Sequence, residues 1–487
     1  MQEALSGAET EEGATPAQGS GTAPESRLRA AFSLLKDAVR GTEMDYTEGS
    51  LNKAVFLLSV PMILEMVMES VFGVLDVYFV GRLGADAVAA VGLTESLLTI
   101  AFAVAIGLSM SVTALVARRI GEKDPEAAAR TAVQAMALGV AAAVPFMLAA
   151  LWTRPLMALM GTPQSVIDVG WGYTAWMLAG NATIMLLFLI NAVFRGAGDA
   201  TVAMRSLWLA NIVNIVLDPC LIFGLGPFPE LGVTGAAIGT TIGRGAGVLY
   251  QLRQLGSPHG RLRIARRHWR IDRSVMAHLA RVSIGGIGQF LIATASWLGL
   301  VRILTPFGAA ALAGYTIALR IVIVAILPSW GMTNAVATLV GQNLGAGKPD
   351  RAERSVWQVG LYNMVFLLGV MVVFLWWAEP LIGVFTSDPE VLRLGADCLR
   401  IVSYGYAFYA WGMVLVQAFN GAGDTRTPTW INLGCYWCFQ IPLGLALARG
   451  LGYGPHGVFY AITIAESMLA VVGLVLFRRG GWKRQVV

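Results

Sequence analysis

Charge is scarce in this chain. Only 13% of its 487 residues are Asp, Glu, Lys or Arg, whereas soluble domains carry about 25%. Histidine occurs four times, as His259, His268, His278 and His456, all in or near loops. That excludes a histidine-based zinc set and an imidazole proton relay inside an apolar segment. Of the four cysteines, Cys435 and Cys438 have C-x-x-C spacing, but they lie in an apolar run beside Tyr436 and Trp437, where packing is the expected role. No P-loop is present, which leaves ion gradients and not bound ATP as the energy source for any transport. No Ser-His-Asp or Cys-His constellation is visible. The expectation is therefore not an enzyme, with no catalytic residue, no metal site and no cofactor beyond a coupling ion. Period-2 alternation is lacking too, so no sheet competes with helix. The N-terminus has neither the basic start nor the apolar core of a secretory signal.

What the chain has in quantity is apolar sequence, with 56% hydrophobic residues and a mean hydropathy of +0.65. Runs of roughly 20 apolar residues, enough to span a bilayer, recur from Leu51 to Leu476, about twelve in all. The predicted fold is all-α and polytopic: twelve transmembrane helices in two parallel-repeat six-helix lobes around a central cavity. Residues 1–50 read as a cytoplasmic tail, mostly disordered, with weak amphipathic character from Arg27 to Val39. Residues 51–256 form the first lobe and 257–273 a basic cytoplasmic linker. Residues 274–478 form the second lobe, and 479–487 a cytoplasmic C-terminal tail.

The net charge of +5 points to topology and not to nucleic acid. Basic residues gather in alternate loops: at Arg118, Arg119 and Lys123, at Arg195 and Arg205, and from Arg261 to Arg273. They recur at Lys348, Arg351 and Arg354, at Arg426, and from Arg478 to Arg484. By the positive-inside rule this places both termini and the linker in the cytoplasm of a multi-pass protein of the cell (inner or plasma) membrane.

The chain also repeats itself. Pro61 to Arg130 returns 224 residues later as Gly285 to Arg354. Gly107, Gly121, Pro125 and Arg130 align with Gly331, Gly345, Pro349 and Arg354. Phe194-Arg-Gly-Ala-Gly-Asp199 returns as Phe419-Asn-Gly-Ala-Gly-Asp424. An even number of spans per copy means that both copies enter the membrane the same way round. Such parallel repeats are related by an axis along the membrane normal, and the substrate path is expected between them.

Carboxylates inside a bilayer are costly and default to function. The first span carries Glu65, Glu69 and Asp76, whose spacings of four and seven put them on one helical stripe with Phe72 between. That stripe runs roughly 16 Å. In the fifth span Asn211, Asn214 and Asp218 form a second polar stripe. Neighbouring acids in a low-dielectric site favour the protonated form, which a proton exchanger needs. The alternative is that an intramembrane arginine neutralises them, Arg244 being the nearest candidate. Pro61 lacks a backbone donor and is a candidate hinge in the first span.

The segment Pro328-Ser-Trp-Gly-Met-Thr-Asn-Ala-Val-Ala-Thr-Leu-Val-Gly-Gln-Asn-Leu-Gly-Ala-Gly-Lys-Pro-Asp350 resembles the eighth-helix signature of the multidrug and toxic compound extrusion (MATE) transporters. Pro61, Val74-Leu-Asp76 and Gly81-Arg-Leu-Gly84 resemble their first helix, and the paired Gly-Ala-Gly-Asp loops fit as well. The resemblance spans about Leu51 to Phe477. It implies efflux of cationic, amphipathic compounds driven by protons or sodium ions. Asp76, Asn214 and Asp218 match the ion-coupling positions of proton-linked members, and Thr240 resembles a further polar member of that set. One departure is Phe72, where some members have tyrosine. Sodium-linked members place acids on the seventh and tenth helices. Here those regions have none, and no Asp or Glu occurs between Arg273 and Lys348.

Candidate substrate contacts are Glu65, Glu69, Phe72, Met62, Met66, Tyr315, Tyr409 and Trp411, which offer carboxylates, cation–π faces and adaptable apolar contact. Expected partners are small organic cations and membrane lipid, with no obligatory protein partner and a monomeric state. Two rivals remain open: a sodium-coupled exporter of the same kind, and a flippase for a lipid-linked precursor, whose phosphate Arg244 and Arg320 would suit.

Overall fold

Alanine, leucine, glycine and methionine fill the apolar runs, and a backbone in lipid must satisfy its own hydrogen bonds, which selects helix. The computed structural model describes residues 24–41, 44–258 and 260–485, with side chains from residue 32 onward. Among these residues there is helix and no strand. A leading helix α1 (Pro24–Arg40) precedes the first lobe. That lobe comprises α2 (Leu51–Gly81), α3 (Ala85–Gly121), α4 (Pro125–Ala149) with its continuation α5 (Thr153–Leu159), α6 (Gln164–Ala179), α7 (Asn181–Ala197), α8 (Ala200–Phe223) and α9 (Val233–Leu255). The second lobe comprises α10 (Arg273–Leu304), α11 (Ala309–Gly345), α12 (Pro349–Gly383), α13 (Pro389–Ser403) and α14 (Tyr406–Gly421). It ends with α15 (Arg426–Asn432), α16 (Ile441–Leu445) and α17 (Pro455–Arg478), with π-helical turns flanking α16.

Among the described residues, nine helical stretches are long and apolar enough to span, and two bent pairs bring the number to eleven. The bends fall at matching places in the repeat: α6–α7 by 44° and α13–α14 by 60°. The twelfth span is α9. It has the length, but its glycines, threonines and Arg244 lower its hydropathy. It packs along α8 instead of facing lipid all round.

The two lobes meet reciprocally. The first helix of each packs on the second helix of the other, α2 on α11 and α10 on α3. Glycines make this possible at repeat-related points. A Cβ on Gly107 would strike the backbone of Gly286 and Ile287, and one on Gly331 the backbone of Met62 and Ile63. Further along, Gly121 lies against the Gln342 carbonyl and Gly345 against that of Arg118. Gln342 also donates to the Gly196 carbonyl at 2.9 Å, and Thr338 to that of Arg195 at 3.0 Å. Towards the opposite end, Gly73, Gly81, Gly84, Gly92 and Gly308 meet nothing within 4 Å. The lobes are therefore closed at the end carrying the chain termini.

Both terminal segments cross that closed end. Arg205, on α8, donates to the Val39 and Arg40 carbonyls at 3.1 and 2.9 Å, and Arg261 to the Met44 carbonyl at 2.8 Å. From the second lobe, Lys348 donates to the Thr47 carbonyl, and Arg351 to those of Tyr46, Glu48 and Gly49. Within the strap, burial of Asp45 opposes ionisation, but two hydrogen bonds from Thr47 outweigh it and hold the carboxyl below the usual range. At the C-terminus Trp482 stacks on Phe477 at 4.7 Å, and Arg118 of the first lobe reaches the Gln485 carbonyl. Arg351→Ala removes four hydrogen bonds worth roughly 0.5–1.5 kcal/mol each. Amide exchange of residues 44–50 should then accelerate at least about tenfold, with the core of α3 unchanged.

Candidate functional site

The row Gly235, Gly239, Gly243 and Gly247 gives α9 a smooth face at every fourth residue, the small-residue pattern that lets membrane helices touch. A Cβ on Gly235 or Gly243 would strike α8 backbone, and one on Gly239 would reach Asp218 Oδ1 at 2.5 Å. This closeness brings Thr240 to the polar stripe of α8. Asn214 Nδ2 donates to Asp218 Oδ1 and to Thr240 Oγ1, both at 3.0 Å. All three are buried: Asp218 is 1% exposed, Asn214 2% and Thr240 6%. Asn214 Oδ1 has no hydrogen-bond partner.

Asp76 faces this group from α2, partly buried, within electrostatic reach of Asp218, Glu95 and Arg244. Arg244 stands one turn beyond Thr240. Among the described residues no carboxylate lies within ion-pair distance of it, and its Nη1 is buried without a hydrogen-bond partner. Arg244, the candidate for the alternative in which an arginine neutralises the acids, therefore sits near them without forming an ion pair.

The other acids of the first stripe diverge. Glu69 is partly buried and accepts from Asn211 Nδ2 at 3.1 Å. Glu65 is 2% exposed and accepts from Arg195 at 3.4 Å and Asn191 at 3.2 Å. Asn191 belongs to a buried network with Ser206 and Gln251. Glu65 thus faces protein near the closed end and has a cationic partner, Arg195. Pro61 lies inside α2, which runs helical through it.

The candidate substrate contacts separate into groups. Met62 is 1% exposed and packs into the closed interface below Gly331. Met66 and Phe72 are partly buried along α2. Trp411 packs against Trp357 and Gly360, with Nε1 directed at Met364 Sδ, inside the second lobe. Tyr315 and Tyr409 line a cavity in that lobe together with Trp297, Tyr406 and Glu466. Glu466 is a residue that the sequence reading overlooked. It is an acid in the apolar stretch Phe459–Leu476, and that isolation was the available signal.

A two-lobed, twelve-span bundle with a buried carboxylate cluster in one lobe can be set against known proteins. The MatE family model matches residues 61–220 and 287–445, once in each lobe. The chain belongs to the MatE family. It is a multi-pass membrane protein of a transporter family, not an enzyme. Among relatives, the probable multidrug resistance protein NorM of Thermotoga maritima is 26% identical over 94% of this chain and 97% of its own length. A FAD transporter of Shewanella oneidensis is 25% identical over 88% of this chain and 95% of its own. A solved structure of a multidrug resistance MATE family transporter in an outward-facing conformation superposes with a TM-score of 0.84. It is 25% identical, covering 90% of this chain and 98% of its own. A MATE crystal structure in the straight conformation gives 0.83 at 25% identity, covering 92% and 99%.

Proposed function

We propose that this MatE protein exports amphipathic organic cations across the cell membrane in exchange for protons, by alternating access between its two lobes. The observation that carries the reading is the buried Asn214–Asp218–Thr240 group with Asp76 beside it. A carboxylate with so little solvent and no ion pair is stable in lipid surroundings only when neutralised, and a proton is the smallest neutralising agent. Asn214 places its amide donor between Asp218 Oδ1 and Thr240 Oγ1. A sodium ion would need those oxygens to turn towards it, whereas a proton on Asp218 leaves the arrangement intact. The relatives named as multidrug resistance proteins support organic compounds as cargo.

The basic loops lie at the closed end with the termini, so the positive-inside rule orients that end to the cytoplasm. On this reading the conformation is closed inwards and open outwards. In proteoliposomes, uptake of a fluorescent organic cation is expected under an imposed proton gradient and not under a sodium gradient alone. Uptake driven only by sodium would overturn the proposed ion. No cation movement under either gradient would overturn the cargo and favour an anionic or lipid-linked one, for which Arg244 Nη1 would be the contact.

A further inference from the structure

The last helix of each lobe starts from the same backbone turn: Gly232 at φ 57°, ψ −140° before α9, and Gly454 at φ 59°, ψ −142° before α17. Counting from these caps, Arg244 and Glu466 occupy the same position, twelve residues on. The repeat therefore carries opposite charges at one height, and the second lobe inverts the chemistry of the first.

Among the described residues, no cationic side chain forms an ion pair with Glu466. Tyr436 donates to Oε1 at 3.1 Å, and no hydrogen bond is made to Oε2. The cavity it borders has a volume of about 70 Å³, room for several waters or one small head group. Its walls are the rings of Trp297, Tyr315, Tyr406 and Tyr409, with aliphatic side chains between them. Two of these rings carry hydroxyls in an unsatisfied state. Tyr315 and Tyr406 are each 2% exposed, and neither hydroxyl has a hydrogen-bond partner. Buried hydroxyls without partners are costly, and here the two tyrosines that carry them line the same cavity as Glu466.

We propose that this cavity is a binding site for the protonated primary or secondary amine of a substrate, with Glu466 as counter-ion and the Tyr315 and Tyr406 hydroxyls as acceptors. The carboxylate selects positive charge, and the aromatic walls favour an organic ammonium over a metal ion, which would require about six oxygens. The acceptor hydroxyls add a preference for ammonium groups that still carry N–H bonds. A quaternary ammonium satisfies the charge but leaves both hydroxyls unpaired. The two lobes then divide the work, with the proton held in the first and the cationic group of the cargo in the second. This division rests on the proposed export function, but binding itself does not.

The test is calorimetric binding of 2-phenylethylammonium, and of its N,N,N-trimethyl analogue, to the full-length protein in nanodiscs. Glu466→Gln is expected to weaken 2-phenylethylammonium at least about tenfold, the worth of a charge-assisted hydrogen bond. Tyr315→Phe and Tyr406→Phe, which keep the rings, should each weaken it by about threefold while leaving the trimethyl analogue unchanged. Undiminished binding by a well-folded Glu466→Gln protein, or no binding by wild type, would overturn the proposal. If Glu466→Gln fails to fold, the two tyrosine variants decide, and equal losses for both ligands would overturn it. Failure of gradient-driven transport with this binding pattern intact would count against the export reading alone.

Discussion

Asp218→Asn is expected to abolish gradient-driven cation uptake in proteoliposomes, reducing it to the level of protein-free vesicles, while the protein folds and inserts as before. Asparagine keeps the size and shape of the side chain, and its carbonyl still accepts from Asn214 Nδ2, now held at 3.0 Å. It cannot release a proton. Asp76→Asn should also impair uptake, because Asp76 is the second acid in electrostatic reach of Asp218. Thr240→Val is the graded control. It removes one acceptor from Asn214, at a cost of about 1 kcal/mol, and leaves both carboxylates. Uptake should fall but persist. Full uptake by Asp218→Asn would remove the coupling role from this group.

The second large effect is conformational. Gly121→Ala and Gly345→Ala each place a methyl group inside the radius of a carbonyl oxygen of the opposite lobe, that of Gln342 or Arg118. Backbone cannot rotate away as a side chain can, so the closed end must spread. Overpacking of this kind costs about 1–3 kcal/mol, and the cost falls only on the state in which the lobes touch there. Each 1.4 kcal/mol shifts the equilibrium about tenfold towards the state open at the terminal end. Spin labels on Lys123 and Arg354, one in each lobe and both exposed, should report a longer distance in either variant. Gly369→Ala, whose added methyl group meets nothing within 4 Å, should leave the distance unchanged. Unchanged distances in the Gly121 and Gly345 variants would contradict lobes that separate at this end.

Much of this architecture was legible in the chain itself. Length and hydropathy marked the spans, and the repeated glycines at 107, 121, 331 and 345 marked two copies before their contacts were known. The weakest span was α9, since glycine, threonine and arginine make it poorly apolar. Packing on α8 compensates for that, and packing is invisible to a hydropathy count. Spacing of four put Asn214 and Asp218 on one face, but Thr240 lies on another helix and came from family resemblance.

Periodicity fixes a helical face and not what covers it. Glu65 and Asp76 share a stripe, yet Glu65 meets Arg195, 130 residues away in sequence, while Asp76 does not. The same limit applies to the aromatic and methionine candidates. Tyr315 and Tyr409 border a cavity, and Met62 and Trp411 are packing residues in this conformation. Glu466 lies on the last helix, away from the seventh and tenth helices to which the resemblance points.

The central claim is that cargo and proton are exchanged at the cost of a proton held by the first lobe. It is tested most directly by calorimetric binding of a permanently charged organic cation to the purified protein in buffers of different ionisation enthalpy. The prediction is a binding heat that changes with buffer, reporting proton release, and that becomes buffer-independent in Asp218→Asn with binding retained. A wild-type protein that binds the cation with the same heat in every buffer would contradict it.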